Sequence, residues 1–229
     1  MNLTSNSVRA DIEGLISELI GCGVCDDSNF PVVRTHREQV VEVSFNGAEY
    51  ISGSFGERQY IDVYQLLLNE RSFSMKLVDG ALLQMMYIIE RDKLRQHRLA
   101  FYPSPSLLPF QDDPESYMDD ELFVEIVKRK IIPFPLRFDF DSRQNVYKDV
   151  IHPMSHLTLG DVKECRIPIS APLTPRWFIE FILRNFYQTK KYDFVIRLPQ
   201  HNIKLSSTIT NNERKLIHMV VPYSINIEK

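Results

Sequence analysis

Cysteine is scarce in this chain: three residues, Cys22, Cys25 and Cys165, among 229. That is too few for a disulfide framework and suits a reducing compartment. Cys22 and Cys25 form a C-x-x-C, but no second pair exists to complete a zinc ribbon. The pair follows the amphipathic run Ile12, Leu15, Ile16, Leu19, Ile20 and then Gly21, so it reads as small residues closing a helix. An excess of basic charge is also missing. Twenty-seven Lys and Arg face 30 Asp and Glu, a net charge of -3, which excludes a uniformly basic coat and confines any nucleic-acid contact to a local patch. No apolar run approaches the length needed to span a bilayer, and Asp11, Glu13 and Glu18 interrupt the first one, unlike a signal peptide. The chain therefore reads as cytoplasmic, with no membrane partner. Neither a P-loop, a Rossmann fingerprint, a G-x-S-x-G elbow nor an H-E-x-x-H occurs, which removes ordinary NTPase, dinucleotide, serine-hydrolase and zincin chemistry. There is no internal repeat, low-complexity segment or Gly/Ser linker.

What is present is an ordinary soluble composition, 44% hydrophobic and 25% charged, long enough to bury a core without staples. After the first helix, "QVVEVSF" and "EYISGSF" read as strands and "RQYIDVYQLLLNER" as a helix. In "SFSMKLVDGALLQMMYIIE" the pair Asp79-Gly80 separates two apolar runs, a strong hairpin signal. "RDKLRQ" can turn the chain back into "HRLAFYPS". Pro103, Pro105, Pro109 and Pro114 then make 103–116 a surface loop or a boundary between two lobes, 1–103 and 117–229, of what is otherwise a single domain. "DDELFVEIVKRK" predicts a helix whose charges follow its dipole. "IIPFPLRFDFD", "HPMSHLTLG" and "ECRIPIS" predict strands, "TPRWFIEFILRNFYQ" a helix capped by Thr174 with Pro175 at its first position, and "YDFVIRL" a further strand. "TNNERKLIHMVV" is open between a helix and an irregular terminus. Strands and helices fall in blocks, so the fold class is α+β with a mainly antiparallel sheet, or sheets, packed with helices.

Side chains alternate across a strand. In "LRFDFD" Arg137, Asp139 and Asp141 therefore share a face opposite Leu136, Phe138 and Phe140. The same rule puts His152, His156 and Thr158 together in the next strand and Glu164 and Arg166 together in the third. Paired as a meander, the three strands present two Arg, two Asp and two His on one face and bury the other under the Trp177 helix. As a solvated face, its ion pairs are worth roughly 0.2–1 kcal/mol each. As a site, it combines proton transfer, metal ligation and planar anion recognition.

Two chemistries fit. In one, His152, His156 and Asp139 or Asp141 hold a divalent metal that activates water, and Arg166 holds an anion. On a regular strand the two His lie about 13 Å apart at about 3.3 Å per residue, so a kink at Pro153 is needed to bring them together. In the other, a His with its tautomer fixed by an Asp acts as acid or base, and Arg137 or Arg166 stabilises charge on a phosphate. The catalytic candidates are thus His152, His156, Asp139 and Asp141. Arg137, Arg166, Arg98 and Tyr187 are candidate substrate contacts. Tyr187 enters because "RNFYQTKKYDF" interleaves aromatic and basic residues, while His97, beside Arg98, reads as a hairpin-end residue.

The segments "HRLAFYPSP", "RFDFD", "HPMSHLTLG", "CRIPI", "PLTP" and "FILRNFY" resemble a bacterial family known only as a domain of unknown function, from about the Asp79-Gly80 turn to Tyr187. The family brings no activity. Over Arg137 to Pro168 the pattern is also similar to the toxin member of some bacterial toxin-antitoxin pairs, many of which act on RNA. The likeness implies a component of a defence or toxin-like module that binds nucleic acid and, as a nuclease, cleaves it. The alternative is a non-catalytic accessory or antitoxin-like subunit whose polar face and Trp177 helix dock a protein partner from the same operon.

Overall fold

The computed structural model describes residues 3–36, 39–48, 58–105, 134–160, 162, 164–188, 193–199 and 205–222. Helix α1 (Ser5–Gly21) starts at Thr4, whose side chain accepts the Ser7 N–H while Ser7 Oγ accepts the Thr4 N–H, a reciprocal cap that satisfies otherwise orphaned donors. It ends at Cys22, and Cys25 opens strand β1 (Cys25–Ser28), so the C-x-x-C spans a helix end and a strand start. Both thiols are free. Burial pushes that of Cys25 up to about 12, the opposite of what a reactive cysteine needs.

Strands β2 (Val32–Thr35) and β3 (Val40–Ser44) form a hairpin. Helix α2 (Tyr60–Asn69) and strand β4 (Met75–Leu77) follow, then the long strands β5 (Leu82–Glu90) and β6 (Lys93–Tyr102). Asp79 and Gly80 turn β4 into β5: Gly80 sits at φ +83, and an added Cβ would meet Ser104 and the Tyr64 hydroxyl at 3.2 Å, so glycine fits here on both counts. Arg91 and Asp92 both have positive φ, the conformation of a tight two-residue hairpin. β6 consequently begins at Lys93, four residues before the expected strand.

Strand β7 (Leu136–Asp141), β8 (Ser155–Leu159) and the two-residue β9 (Ile167–Pro168) extend the same sheet. Among the described residues it has nine strands, all paired antiparallel, in the order β1-β4-β5-β6-β7-β8-β9, with β3 on the far part of the β5 edge and β2 beyond it. The fold is α+β. Because β6 pairs with β7 from Gln96↔Asp141 to Phe101↔Leu136, strands from both sides of the proline-rich stretch lie in one sheet.

One face of that sheet is apolar. Met85, Tyr87, Leu99, Phe101, Leu136, Phe138 and Leu157 are buried there with Val8, Ile12, Leu15, Ile16 and Leu19 of α1 and with Phe178, Ile179 and Ile182 of helix α3 (Pro175–Ile182). Phe138 packs edge-on against Phe178 and Phe181, with centroids 6.0 and 5.1 Å apart. Thr174 caps α3 by accepting the Trp177 N–H, with Pro175 at its first turn. The helix continues as a single π turn, Leu183–Tyr187. On the opposite face, α2 covers only one end of the sheet, packing Val63, Tyr64 and Leu67 on Leu82, Ala100 and Tyr102.

One expectation is corrected. Residues 193–198 do not form a strand: Phe194–Arg197 is a 3-10 turn, started by Asp193 accepting the Val195 N–H. Residues 210–221, left open by the sequence, have the 3-10 turn Glu213–Lys215 and an isolated bridge from Met219 to Ile169. The expected strand at 49–55 and helix at 119–130 lie outside the described residues.

Candidate functional site

Strand β7 alternates as its sequence dictates. Leu136, Phe138 and Phe140 are buried, while Arg137, Asp139 and Asp141 face the other way. Register then decides their neighbours, because directly opposed residues in an antiparallel pair sit about 4.5–5.5 Å apart. Asp139 opposes Arg98 on β6 and His156 on β8, and His156 opposes Pro168 on β9. Asp141 opposes Gln96, and Arg137 lies between Ala100 and Thr158.

Asp139 is the centre of this row. Arg137 Nε donates to its Oδ2 at 2.5 Å and Arg98 Nε to its Oδ1 at 3.4 Å, while His156 Nε2 stands 3.9 Å from Oδ2. Burial pushes the Asp139 pKa up, but Arg137, Arg98 and His156 outweigh it and leave the carboxyl below the ordinary range. Asp141 is held by a second guanidinium: Arg143 donates from Nε at 3.0 Å and Nη2 at 2.6 Å, and Gln96 Nε2 adds a bond at 2.8 Å.

The side chain of His156 is 4% exposed. Its Nδ1 donates to the Pro153 carbonyl at 2.9 Å, which fixes the ring and turns Nε2 toward Asp139 and the open side. Burial lowers the pKa of His156; Asp139 and the Pro153 carbonyl pull it back up without restoring it. His152 is not on the strand as expected, since β8 begins at Ser155. It sits in the loop between β7 and β8, where Lys148 and His152 exchange both backbone hydrogen bonds around a turn with Val150 at φ 69. That turn and Pro153 swing the ring back, so the two imidazoles meet at 5.1 Å between centroids, inclined by 73°. Burial and then Arg166 push the His152 pKa down, against Asp139 and Asp141.

These groups line a cavity of about 440 Å³, within the range of small-ligand sites. Four guanidinium groups reach it, Arg98, Arg137, Arg143 and Arg166, against two carboxylates, Asp139 and Asp141; Met86 and Ile88 of β5 supply an apolar wall. With both histidines neutral the lining carries two more positive than negative charges, so its chemistry favours an anion, and Arg forks suit the oxygens of a phosphate. Among the described residues no group of three or more His, Cys, Asp or Glu is placed to hold a metal ion.

Seven of the eight residues singled out in the sequence lie together at this cavity: His152, His156, Asp139, Asp141, Arg137, Arg166 and also Arg98, which the sequence set apart at the end of another sheet. Tyr187 is elsewhere. It is fully buried on the apolar face beside Phe101, and its hydroxyl donates to both oxygens of Asp79, at 3.0 and 2.9 Å. Lys190, Lys191 and Tyr192 lie outside the described residues. His97 is not at a hairpin end but buried in mid-strand, between Tyr87 and Phe140 on the apolar side. Arg143 was missed because it follows the strand in an aperiodic loop. Met86, Ile88 and Gln96 were missed because their role depends on β5 and β6 lying next to β7, although strand alternation already set them on one face.

No curated protein and no solved structure matches the chain. A family described as "Uncharacterized conserved protein (DUF2290)" matches residues 24–221, a span that takes in the whole sheet and every cavity residue named above. The chain belongs to the DUF2290 family.

Proposed function

We propose that the protein binds the phosphate backbone of nucleic acid in the Arg/Asp/His cavity, as the nucleic-acid-binding component of a bacterial defence or toxin-like module. The excess of guanidinium over carboxylate groups carries this reading: Arg98, Arg137, Arg143 and Arg166 against Asp139 and Asp141, in a chain whose overall charge is negative. A local basic lining on an acidic protein is electrostatic focusing on one spot, and phosphate is the anion that nucleic acid repeats along its length. Labelled single-stranded RNA and DNA oligonucleotides test it by fluorescence anisotropy. Affinity is expected to fall steeply from about 50 to about 200 mM salt, and Arg166→Ala to reduce the salt slope by about 0.7 for the lost phosphate contact. Absence of binding at the lowest salt for both polymers defeats the proposal.

A second reading, a non-catalytic subunit that docks a protein encoded beside it, draws on exposed apolar side chains. Ile151, Ile217 and Val220 are 65, 93 and 70% exposed, and they lie on two segments stitched together through Asp149 and Glu213. Native mass measurement after purification from its own cell decides it: monomer alone, with no co-purifying chain, removes this alternative.

A further inference from the structure

The two histidines share one cavity in unlike surroundings. His156 Nδ1 is committed to the Pro153 carbonyl at 2.9 Å. Its Nε2 stands 3.9 Å from Asp139 Oδ2, beyond hydrogen-bond reach but close enough for the carboxylate to favour an imidazolium, and this is the nitrogen left to exchange a proton with a ligand. His152 is the more exposed of the two, and of the charged groups that act on it Arg166 weighs most and disfavours its protonation, as Lys148 also does, against Asp139 and Asp141. Burial lowers the pKa of both; the next influence is Arg166 at His152, which disfavours its protonation, and the Asp139 carboxylate at His156, which favours it, a graded pair that can divide the roles of base and acid.

What such a pair can do to a phosphodiester depends on the nucleophile. Cleavage of DNA needs a nucleophile from outside the substrate, a water or a side chain, that must be activated and held in line, and among the described residues no three His, Cys, Asp or Glu are grouped to do this through a metal. RNA carries its own nucleophile, the 2′-hydroxyl, which also distinguishes it from DNA. We infer that the substrate is RNA and that His152 and His156 catalyse transphosphorylation at its 2′-hydroxyl without a metal. This rests on the reading that phosphate binds in the cavity.

The step balances as follows. Neutral His152 takes the proton of the 2′-hydroxyl as O2′ forms its bond to phosphorus. The bond from phosphorus to O5′ breaks, and the leaving O5′ takes a proton from the His156 imidazolium. The products are a 2′,3′-cyclic phosphate end and a 5′-hydroxyl end, and the histidines exchange protons with water to reset. Arg166, the cation that acts on both imidazoles, faces the charge that collects on the non-bridging oxygens. The rate should rise with pH as His152 loses its proton and fall as His156 loses its own. Both groups titrate below the ordinary 6.5, so the maximum lies on the acid side of that value.

The test incubates the full chain with an RNA oligonucleotide, the same sequence as DNA, and the RNA carrying one 2′-deoxy nucleotide at the cleaved position, all in excess EDTA. The expected result is cleavage of RNA alone, cyclic-phosphate ends, and protection by the single deoxy substitution. His152→Ala, on a loop whose loss leaves the sheet intact, should lower the rate by about 10²–10⁴-fold, lose the acid limb of the pH profile and recover activity when free imidazole is added. RNA that is bound but stays intact in EDTA overturns the inference and leaves the binding proposal standing. So does cleavage of DNA at a similar rate, or ends bearing a 3′-hydroxyl. If neither polymer binds, both fall together.

Discussion

Within one turn of the sheet, two histidines occupy opposite sides and lead opposite lives. His97 lies on the apolar side between Tyr87 and Phe140, its Nε2 accepting the Leu173 N–H at 3.1 Å. Desolvation drops its pKa to about 4, so it stays neutral at any physiological pH. His156, one register step away on the other side, also has its pKa lowered by burial; Asp139 opposes that effect at both rings, and what differs is that Nδ1 of His156 bonds the Pro153 carbonyl and that its ring lies on the polar side of the sheet, at the cavity. Two aspartates repeat the contrast. Asp79 is buried with a phenol as its side-chain partner, and desolvation raises its pKa; Asp139 is flanked by guanidiniums, and its pKa is lowered. Burial alone thus says little about what a polar group can do. The charge of its neighbours decides whether it is a structural fixture or a titrating one.

Four substitutions test that contrast, beginning with the largest effect. Phe138→Ala, adjacent to Asp139 but facing α3, should destabilise by about 3–5 kcal/mol in chemical denaturation. A loss below about 1 kcal/mol would mean that α3 and the sheet are not packed as described. Asp139→Asn comes second: removing the charge between Arg98 and Arg137 should cost about 1–3 kcal/mol at neutral pH. Because the folded-state pKa is below the unfolded value of about 3.8, this stability is present above 3.8 and disappears as pH falls through the folded value; the variant and parent should converge in acid. Asp79→Asn should act with the reverse sign. A raised pKa in the folded state means the charged form is disfavoured as pH rises through that value, so the uncharged amide should gain stability at pH 7 and show no gain below about 3.8. Equal signs for the two Asp→Asn changes at pH 7 would break the comparison. The smallest effect on stability is expected for His152→Ala, within about 0.5 kcal/mol, since its ring lies on a loop; a large loss of melting temperature would make it a structural residue.

How far the sequence reaches into this structure depends on the range of the interaction. The alternation in "RFDFD" assigns both faces of β7 from five residues, because a period of two is local information. The Thr174-Pro175 start of α3 and the Asp79-Gly80 turn are equally local. What the sequence withholds is long-range: that Arg98 stands beside Asp139, 41 residues away along the chain, follows only once β6 and β7 are paired. Tyr187 was misplaced for the same reason. Its basic and aromatic neighbours suggested a surface, whereas its partner Asp79 lies 108 residues away. His152 shows a different limit. Periodicity put it on a strand, and a turn at positive φ took it off, moving the two rings from about 13 Å along an extended strand to 5.1 Å. The short strands β1 and β2 escaped because four residues are too few for a pattern to emerge.

The loop that carries Arg143 and His152 is clasped from the far end of the chain. Asp149 accepts from Thr210 Oγ1 and Asn212 Nδ2, both at 2.7 Å, and Glu213 caps the Thr210 turn with a bond to its N–H at 2.9 Å. The clasp has a consequence for biosynthesis. Loop closure over such a separation costs entropy that nearer contacts do not, and a ribosome-bound chain that has not yet exposed residue 213 holds the loop only through its nearer contacts, such as Arg143 on Asp141 and the Lys148–His152 pair. A nascent or truncated chain that stops before residue 210 therefore lacks the clasp on the loop that carries Arg143 and His152.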